Sequence, residues 1–310
     1  MNDQVYTISS VERDTGLSKD VLRVWERRYG FPAPQRDVHG ERIYPADQVE
    51  RLRLIKRLMD QGHRPGKLMT TPSEALAQLR PRRLARKAEV PADRPVEELE
   101  TLLDLIRRHD GPAYQQALSQ RLARHGLPSF VQDILAPLSH QVGVAWESGR
   151  FAVHEEHFFT ELTLRMLRQV IASLPPCPEG PRILLTTLPD EKHVLGLLMA
   201  ESLLTLDGAH CIALGTETPL SDIARAAEIH HVEVVALSFS VAFPARQIPA
   251  LLRQLRQALP ACVELWAGGE GVAHLSRPAD GVEILATLAD AREALHALVE
   301  KRRCAPLAAP

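Results

Sequence analysis

From residue 182 to residue 302, short apolar runs of strand length alternate with longer runs of helical period, and this alternation constrains the fold more than any other feature. Strands are predicted over 182–188, 210–214, 233–239, 262–266 and 282–287, and helices over 194–206, 219–229, 244–258, 270–276 and 288–302. A repeated strand–helix order predicts a parallel sheet with helices on both faces. Ligands of such sheets bind beyond the carboxyl ends of the strands. The loop after the first strand therefore matters: Pro189-Asp190-Glu191-Lys192-His193-Val194-Leu195-Gly196. An imidazole there can ligate a transition metal. An acid two residues earlier can take its other ring N–H and fix its tautomer. Taken alone, a histidine in a loop is more often a plain surface residue.

Two later stretches give it company. Val232 to Phe243 reads as a buried strand ending in the hydroxyls of Ser238 and Ser240, and Leu265-Trp266-Ala267-Gly268-Gly269 as a strand ending in paired glycines. Forty-one residues lie between Gly196 and Ser238, and twenty-seven between Ser240 and Gly268. In order and spacing the set resembles the cobalamin-binding domain family, with its Asp-x-His-x-x-Gly, Ser-x-Leu and Gly-Gly pattern. Glu191 stands at the usual aspartate and Ser240 at the usual leucine. The resemblance implies that His193 ligates cobalt from below, with Glu191 or Asp190 behind it. The nucleotide tail would then lie beside Ser238, Ser240, Gly268 and Gly269, where paired glycines let a ring or tail approach the backbone. Gly215-Thr216-Glu217-Thr218-Pro219 is expected to border the ligand as another strand-end loop. No Gly-x-Gly-x-x-Gly fingerprint accompanies the strands, so nicotinamide binding has no support.

The amino-terminal part has the opposite charge. Residues 1–95 carry a net +6 and the remainder a net −8, a split concealed by the overall −2. A basic segment on an acidic body points to a polyanionic partner. Thr7 is placed to cap a first helix, Gly16-Leu17-Ser18 makes a tight turn, and Ser18 caps a second helix through Tyr29. That spacing fits a helix-turn-helix, whose second helix enters the major groove. Here it carries Lys19, Arg23, Arg27 and Arg28, with Trp25 expected in the core. Tyr29 to Arg36 and Gly40 to Tyr44 then read as a β-wing, followed by a helix over Pro45 to Gln61. The string Leu22-Arg23-Val24-Trp25-Glu26-Arg27-Arg28-Tyr29-Gly30, followed by Arg42-Ile43-Tyr44, closely resembles the MerR-type transcription regulators over about residues 5–69. That implies a winged helix-turn-helix binding pseudo-palindromic double-stranded promoter DNA as a dimer. Arg23 and its helix would meet the groove, and Arg36, Arg42 and Tyr44 of the wing would serve the backbone.

Between the two ends, residues 71–95 read as a proline- and arginine-rich linker containing Arg80-Pro81-Arg82-Arg83 and Arg86-Lys87. Four helices follow, Val96–Arg108, Pro112–Arg124, Pro128–Trp146 and Ala152–Leu174, with apolar residues three and four apart as in an antiparallel bundle. Trp146 followed by Glu156-His157 resembles the helical cap of the CarH/LitR-like adenosylcobalamin photoreceptors of the MerR type. The resemblance implies that Trp146 covers the upper face of adenosylcobalamin and that Glu156 and His157 contact its adenosyl group. That family has a histidine directly after the tryptophan, where this chain has Glu147. Either His154 substitutes, or the illuminated state lacks a second imidazole, or light is not the signal.

The expected architecture is multidomain: an all-α winged helix-turn-helix head over 1–70, the linker, a four-helix bundle cap over 96–176, and a C-terminal α/β Rossmann-like parallel sheet over 180–303. The expected function is a DNA-binding regulator, by resemblance a repressor, acting as a homodimer or homotetramer under adenosylcobalamin control. The alternative is a MerR-type regulator whose last domain binds another tetrapyrrole or a partner protein. An enzyme is not expected, since cobalamin enzymes add a catalytic barrel of ~250 residues for which the chain has no room. Four cysteines without a Cys-x-x-Cys pair suit a reducing cytoplasm. No apolar run nears the roughly eighteen residues of a membrane span, and the polar Met1-Asn2-Asp3-Gln4 start does not read as a signal peptide.

Overall fold

The computed structural model describes residues 5–38, 40–60, 65–72, 75–76, 96–273, 275 and 280–304. The basic cluster Arg80 to Lys87, and with it most of the predicted linker, lies outside these residues. The chain divides into two compact units, residues 1–90 and 91–310.

In the first unit a strand β1 (Val5–Thr7) leads into α1 (Ile8–Thr15) and α2 (Lys19–Tyr29). The Thr7 hydroxyl accepts from Ser10 N at 3.2 Å and the Ser18 hydroxyl from Val21 N at 3.3 Å, so both expected caps form. Each helix ends on a left-handed glycine, Gly16 at φ 69° and Gly30 at φ 67°. The wing strands β2 (Gln35–Arg36) and β3 (Arg42–Pro45) follow, then α3 (Ala46–Asp60) and α4 (Pro65–Met69). β3 pairs antiparallel with both β1 and β2, so the head has a three-stranded sheet where the sequence indicated only the wing. Leu22 and Trp25 of α2 are buried with Val11, Tyr44, Leu52 and Ile55 in one core. The apolar stripe of α2 thus faces inward, which turns its cations outward.

The second unit begins with the bundle: α5 (Val96–Arg107), α6 (Gly111–Ser129), a π-helical segment (Phe130–Leu135), α7 (Ala136–Glu147) and α8 (Val153–Ser173). The chain breaks helical geometry at Gly126, φ 73°, where the sequence placed a helix boundary. The third predicted helix therefore exists, but it opens in π geometry. After the bundle come β4 (Arg182–Thr186), α9 (Leu195–Leu206), β5 (His210–Gly215), α10 (Leu220–Ile229), β6 (Val234–Ser238), α11 (Ile248–Ala258), β7 (Glu264–Gly268), β8 (Val282–Leu285) and α12 (Leu288–Cys304). Of the helix predicted over 270–276, the described residues 270–273 form a turn instead, with Val272 buried.

All five strands are parallel, in the order β5-β4-β6-β7-β8. Alternate residues of each strand point to opposite faces. Ile183, Leu185, Val234 and Trp266 pack against α9 and α12. Leu184, Val235, Leu237, Leu265 and Ala267 pack against α10 and α11. Leu198, Met199 and Leu203 of α9 also join the bundle core, so α9 is buried between sheet and bundle. The chain leaves β4 toward β5 on one side and builds β6 on the other. The switch point of the sheet therefore lies between the carboxyl ends of β4 and β6.

Candidate functional site

The loop from β4 to α9 stands at that switch point. Asp190 adopts φ 71°, a left-handed conformation that turns the chain sharply after Pro189. Glu191 is consequently carried inward and is only 1 % exposed. Its Oε1 accepts from His193 N at 3.0 Å and pairs with His193 Nδ1 at 2.6 Å. Its Oε2 accepts from Ser240 N and Ser240 Oγ, both at 2.8 Å. Burial alone would push this carboxyl up, but the bonds from the His193 ring, His193 N–H and Ser240 N–H outweigh it and hold the pKa below the ordinary value. The ionised carboxylate fixes Nδ1 as the protonated ring nitrogen, which leaves the lone pair on Nε2. The His193 side chain is 62 % exposed. A rigid acceptor beneath an outward-facing imidazole is what a metal of a bound cofactor requires, so the donor set fits cobalt.

Supporting groups surround the pair. Thr187 Oγ1 donates to Glu191 O at 2.6 Å and accepts from Glu217 N at 2.9 Å. The Gly215–Pro219 loop, expected to border the ligand, is therefore tied to the back of the β4 loop. Any Cβ at Gly196 would stand 3.2 Å from Ser238 Oγ, so glycine lets α9 start close to the end of β6. A Cβ at Gly269 would lie 2.4 Å from Phe239 O, and Gly269 has φ 94°, so packing against the neighbouring strand end itself calls for glycine there. Ser240, expected along the tail, is spent on Glu191 and His193.

Above the sheet, α7 ends at Trp146 and Glu147, and the Gly149 turn leads into α8. Trp146 is half-buried against a cluster that also includes Val194 and Leu195, the residues after His193. The structure thus brings Trp146 and the His193 loop to the same core. Glu156 accepts from Thr160 Oγ1 at 2.8 Å and pairs with His157 Nδ1 at 2.8 Å. His157 itself is exposed. His154, a sequence candidate for the upper ligand, stacks on His109 with centroids 5.1 Å apart and planes at 19°. Its ring lies at the corner between α5 and α6.

In the head, Arg23, Arg27 and Arg42 line one open depression together with Asp20, Val24 and Glu26. Arg28 and Arg36 are exposed, and Lys19 reaches Glu12 at 3.6 Å. Arg42 donates to Glu26 through Nε at 2.9 Å and Nη2 at 3.3 Å, so it ties the wing to α2. The phosphate role expected of Tyr44 does not fit its place. Tyr44 is 0 % exposed within the core, and burial, then the nearby Glu26 carboxylate, raise its phenol pKa. Glu26 was missed as a working residue, and Ser240 was expected beside the tail but not as a partner of Glu191. Neither role has a local signal, because the partners lie sixteen and forty-nine residues away.

The folds and sites together define a MerR-type helix-turn-helix regulator joined to a B12-binding module. Residues 6–69 match the MerR HTH family regulatory protein model, and residues 98–171 match the B12 binding domain model. The chain belongs to the CarH/CarA family of MerR-type transcriptional regulators. It is 31 % identical over 275 residues to the HTH-type transcriptional repressor CarH of Myxococcus xanthus, covering 87 % of this chain and 90 % of that one. It is likewise 31 % identical over 258 residues to the repressor CarA of the same organism, covering 82 % of each chain. Among solved structures, the monomethylamine corrinoid protein of Methanosarcina barkeri shares the fold, with a TM-score of 0.53 at 17 % identity over 65 % of this chain and 98 % of that one. No helix among the described residues is long and apolar enough to cross a membrane.

Proposed function

We propose that this regulator holds adenosylcobalamin between its bundle and its sheet, and that the bound ligand sets oligomeric state and promoter occupancy, with light as the releasing signal. The observation that carries the reading is the His193–Glu191–Ser240 arrangement at the switch point. His193 ligates cobalt from below through Nε2, while Glu191 orients the imidazole and raises its basicity. Gly196, Ser238, Gly268 and Gly269 shape the strand ends along which the nucleotide tail lies. From above, Trp146, Glu156 and His157 close over the adenosyl group and exclude water from it. Bound adenosylcobalamin supplies a cobalt–carbon bond that light can break.

A ligand shifts assembly only through contacts that differ between states. Trp146, Glu156 and His157 make theirs only when the bundle is closed over the ligand, so they provide that difference. In the head, Lys19, Arg23, Arg27, Arg28 and Arg36 meet the groove and its phosphates. Arg42 acts mainly by fixing the wing on α2. Pseudo-palindromic DNA calls for a homodimer, and the ligand-bound form is a homotetramer that represses. A second reading, another tetrapyrrole or a protein partner on the same face, draws on Glu147, which stands where the resembling family has a histidine, and on the stacking of His154 on His109.

The test is an ultraviolet–visible titration with adenosylcobalamin in the dark, repeated after green light and with His193→Ala. A base-off, histidine-ligated spectrum that is lost in the variant and changed by light is expected. Binding with no change in assembly or DNA affinity on illumination would leave a cobalamin sensor without light control. No binding would sink the cobalt role of His193 and favour the second reading.

A further inference from the structure

The bundle and the carboxyl end of the sheet meet through polar side chains at His140 and Glu270. His140 lies on α7, six residues before Trp146, and its Nδ1 is 3.1 Å from Glu270 Oε1 in the turn after Gly268-Gly269. The two side chains are 39 % and 56 % exposed. The helix bearing His140 and Trp146 has an unusual start. Its first turns, Phe130–Leu135, are π-helical, directly after the break at Gly126. A π turn holds more residues than an α turn, so it sets the rotation of everything downstream, and such segments are short and concentrated at functional sites. Phe130, Val131, Ile134 and Leu135 are buried and anchor this start. The hydrogen-bond ladder upstream of α7 therefore does not by itself settle where His140 and Trp146 point.

We propose that His140 and Glu270 are positioning residues, whose bond fixes the rotation of α7 against the turn after β7 and so holds Trp146 over the His193 loop. What Trp146 covers rests on the ligand reading above, whereas the contact itself is testable without ligand. The Gly268-Gly269 pair gains a second consequence from this. By letting β7 end tight against Phe239, it brings Glu270 within reach of the cap helix.

The experiment uses the full chain with His140→Ala, Glu270→Ala and both together. Two quantities are read: amide exchange of residues 136–147 without ligand, and the dark dissociation rate of adenosylcobalamin. Each single variant is expected to speed exchange along α7 and to raise dissociation about two- to fivefold, the range an exposed ion pair supplies. The double variant should go no further than either single, because partners in one bond are not additive. Unchanged exchange in both single variants overturns the proposal, whether or not cobalamin binds. Faster exchange with unchanged dissociation overturns the link to Trp146. Wild-type protein that takes up no cobalamin would instead sink the ligand reading, and exchange alone would then decide whether the contact holds α7.

Discussion

Glu191 makes four hydrogen bonds from a position that water hardly reaches, and every one of them serves the presentation of His193 or the closure of the β4 and β6 ends. Replacing it with alanine strands the Ser240 N–H and hydroxyl and releases the imidazole. Cobalamin affinity is expected to fall ~10- to 100-fold, as for other partners that stand behind a metal ligand, measured by titration at 25 °C. Unfolding should register a loss of about 1–3 kcal/mol from the groups left unpaired. Tyr44 gives the opposite case. Its hydroxyl is buried with no partner among the described residues, so Tyr44→Phe is expected to change stability by less than about 1 kcal/mol and to leave operator affinity unaltered. A clear drop in DNA binding by Tyr44→Phe would restore the phosphate role. The two residues show what was legible. Glu191 and His193 are two positions apart, and a loop that short can bring them together from sequence alone. Tyr44 sits two residues after Arg42 on one strand, and only tertiary cover distinguishes a wing residue at the surface from one in the core.

At the scale of elements, strand and helix order could be read because each has its own apolar period, and the caps because Thr7, Ser18, Gly16 and Gly30 are chemically suited to them. Two elements could not. Residues 270–276 have helical composition, yet Gly271 packs with its Cβ position 2.4 Å from Ser240 O, which holds residues 270–273 as a turn. The π segment was invisible because six residues do not separate one helical period from another. Its consequence can be tested by inserting one alanine after the exposed Asp133. Where the π turn absorbs no second extra residue, α7 turns by about 100°, one residue's share of a 3.6-residue turn. Retained helicity with loss of dark cobalamin retention is expected, read by circular dichroism and gel filtration of the coloured protein. On α2 the cations project from a buried apolar stripe, so each acts on DNA as a separate charge. Arg27→Ala is expected to weaken binding about equally for specific and random duplexes, and to lower the slope of log affinity against log salt by about 1, measured by fluorescence anisotropy.

On the scale of the whole molecule, the two compact units have separate cores, and the proposed ligand touches only the second. Whatever the ligand contributes to stability must therefore appear in the unit of residues 91–310. Binding to the folded state alone at a hundredfold excess over Kd adds about 2.7 kcal/mol. For a body of this size that corresponds to a Tm rise of roughly 5–10 °C. Calorimetry of the full chain in the dark should then show two transitions, of which adenosylcobalamin moves only the one belonging to the bundle and sheet. His193→Ala should reduce that shift and also lower the ligand-free transition slightly, because the imidazole bonds the buried Glu191 carboxylate as well as serving the cofactor. The same scan after illumination separates two ways of sending the signal to DNA. If the head's transition also moves with ligand, the units are coupled within one chain. If it stays fixed while DNA affinity changes, the signal travels through assembly, because the ligand then alters which copies meet and leaves each head as it was.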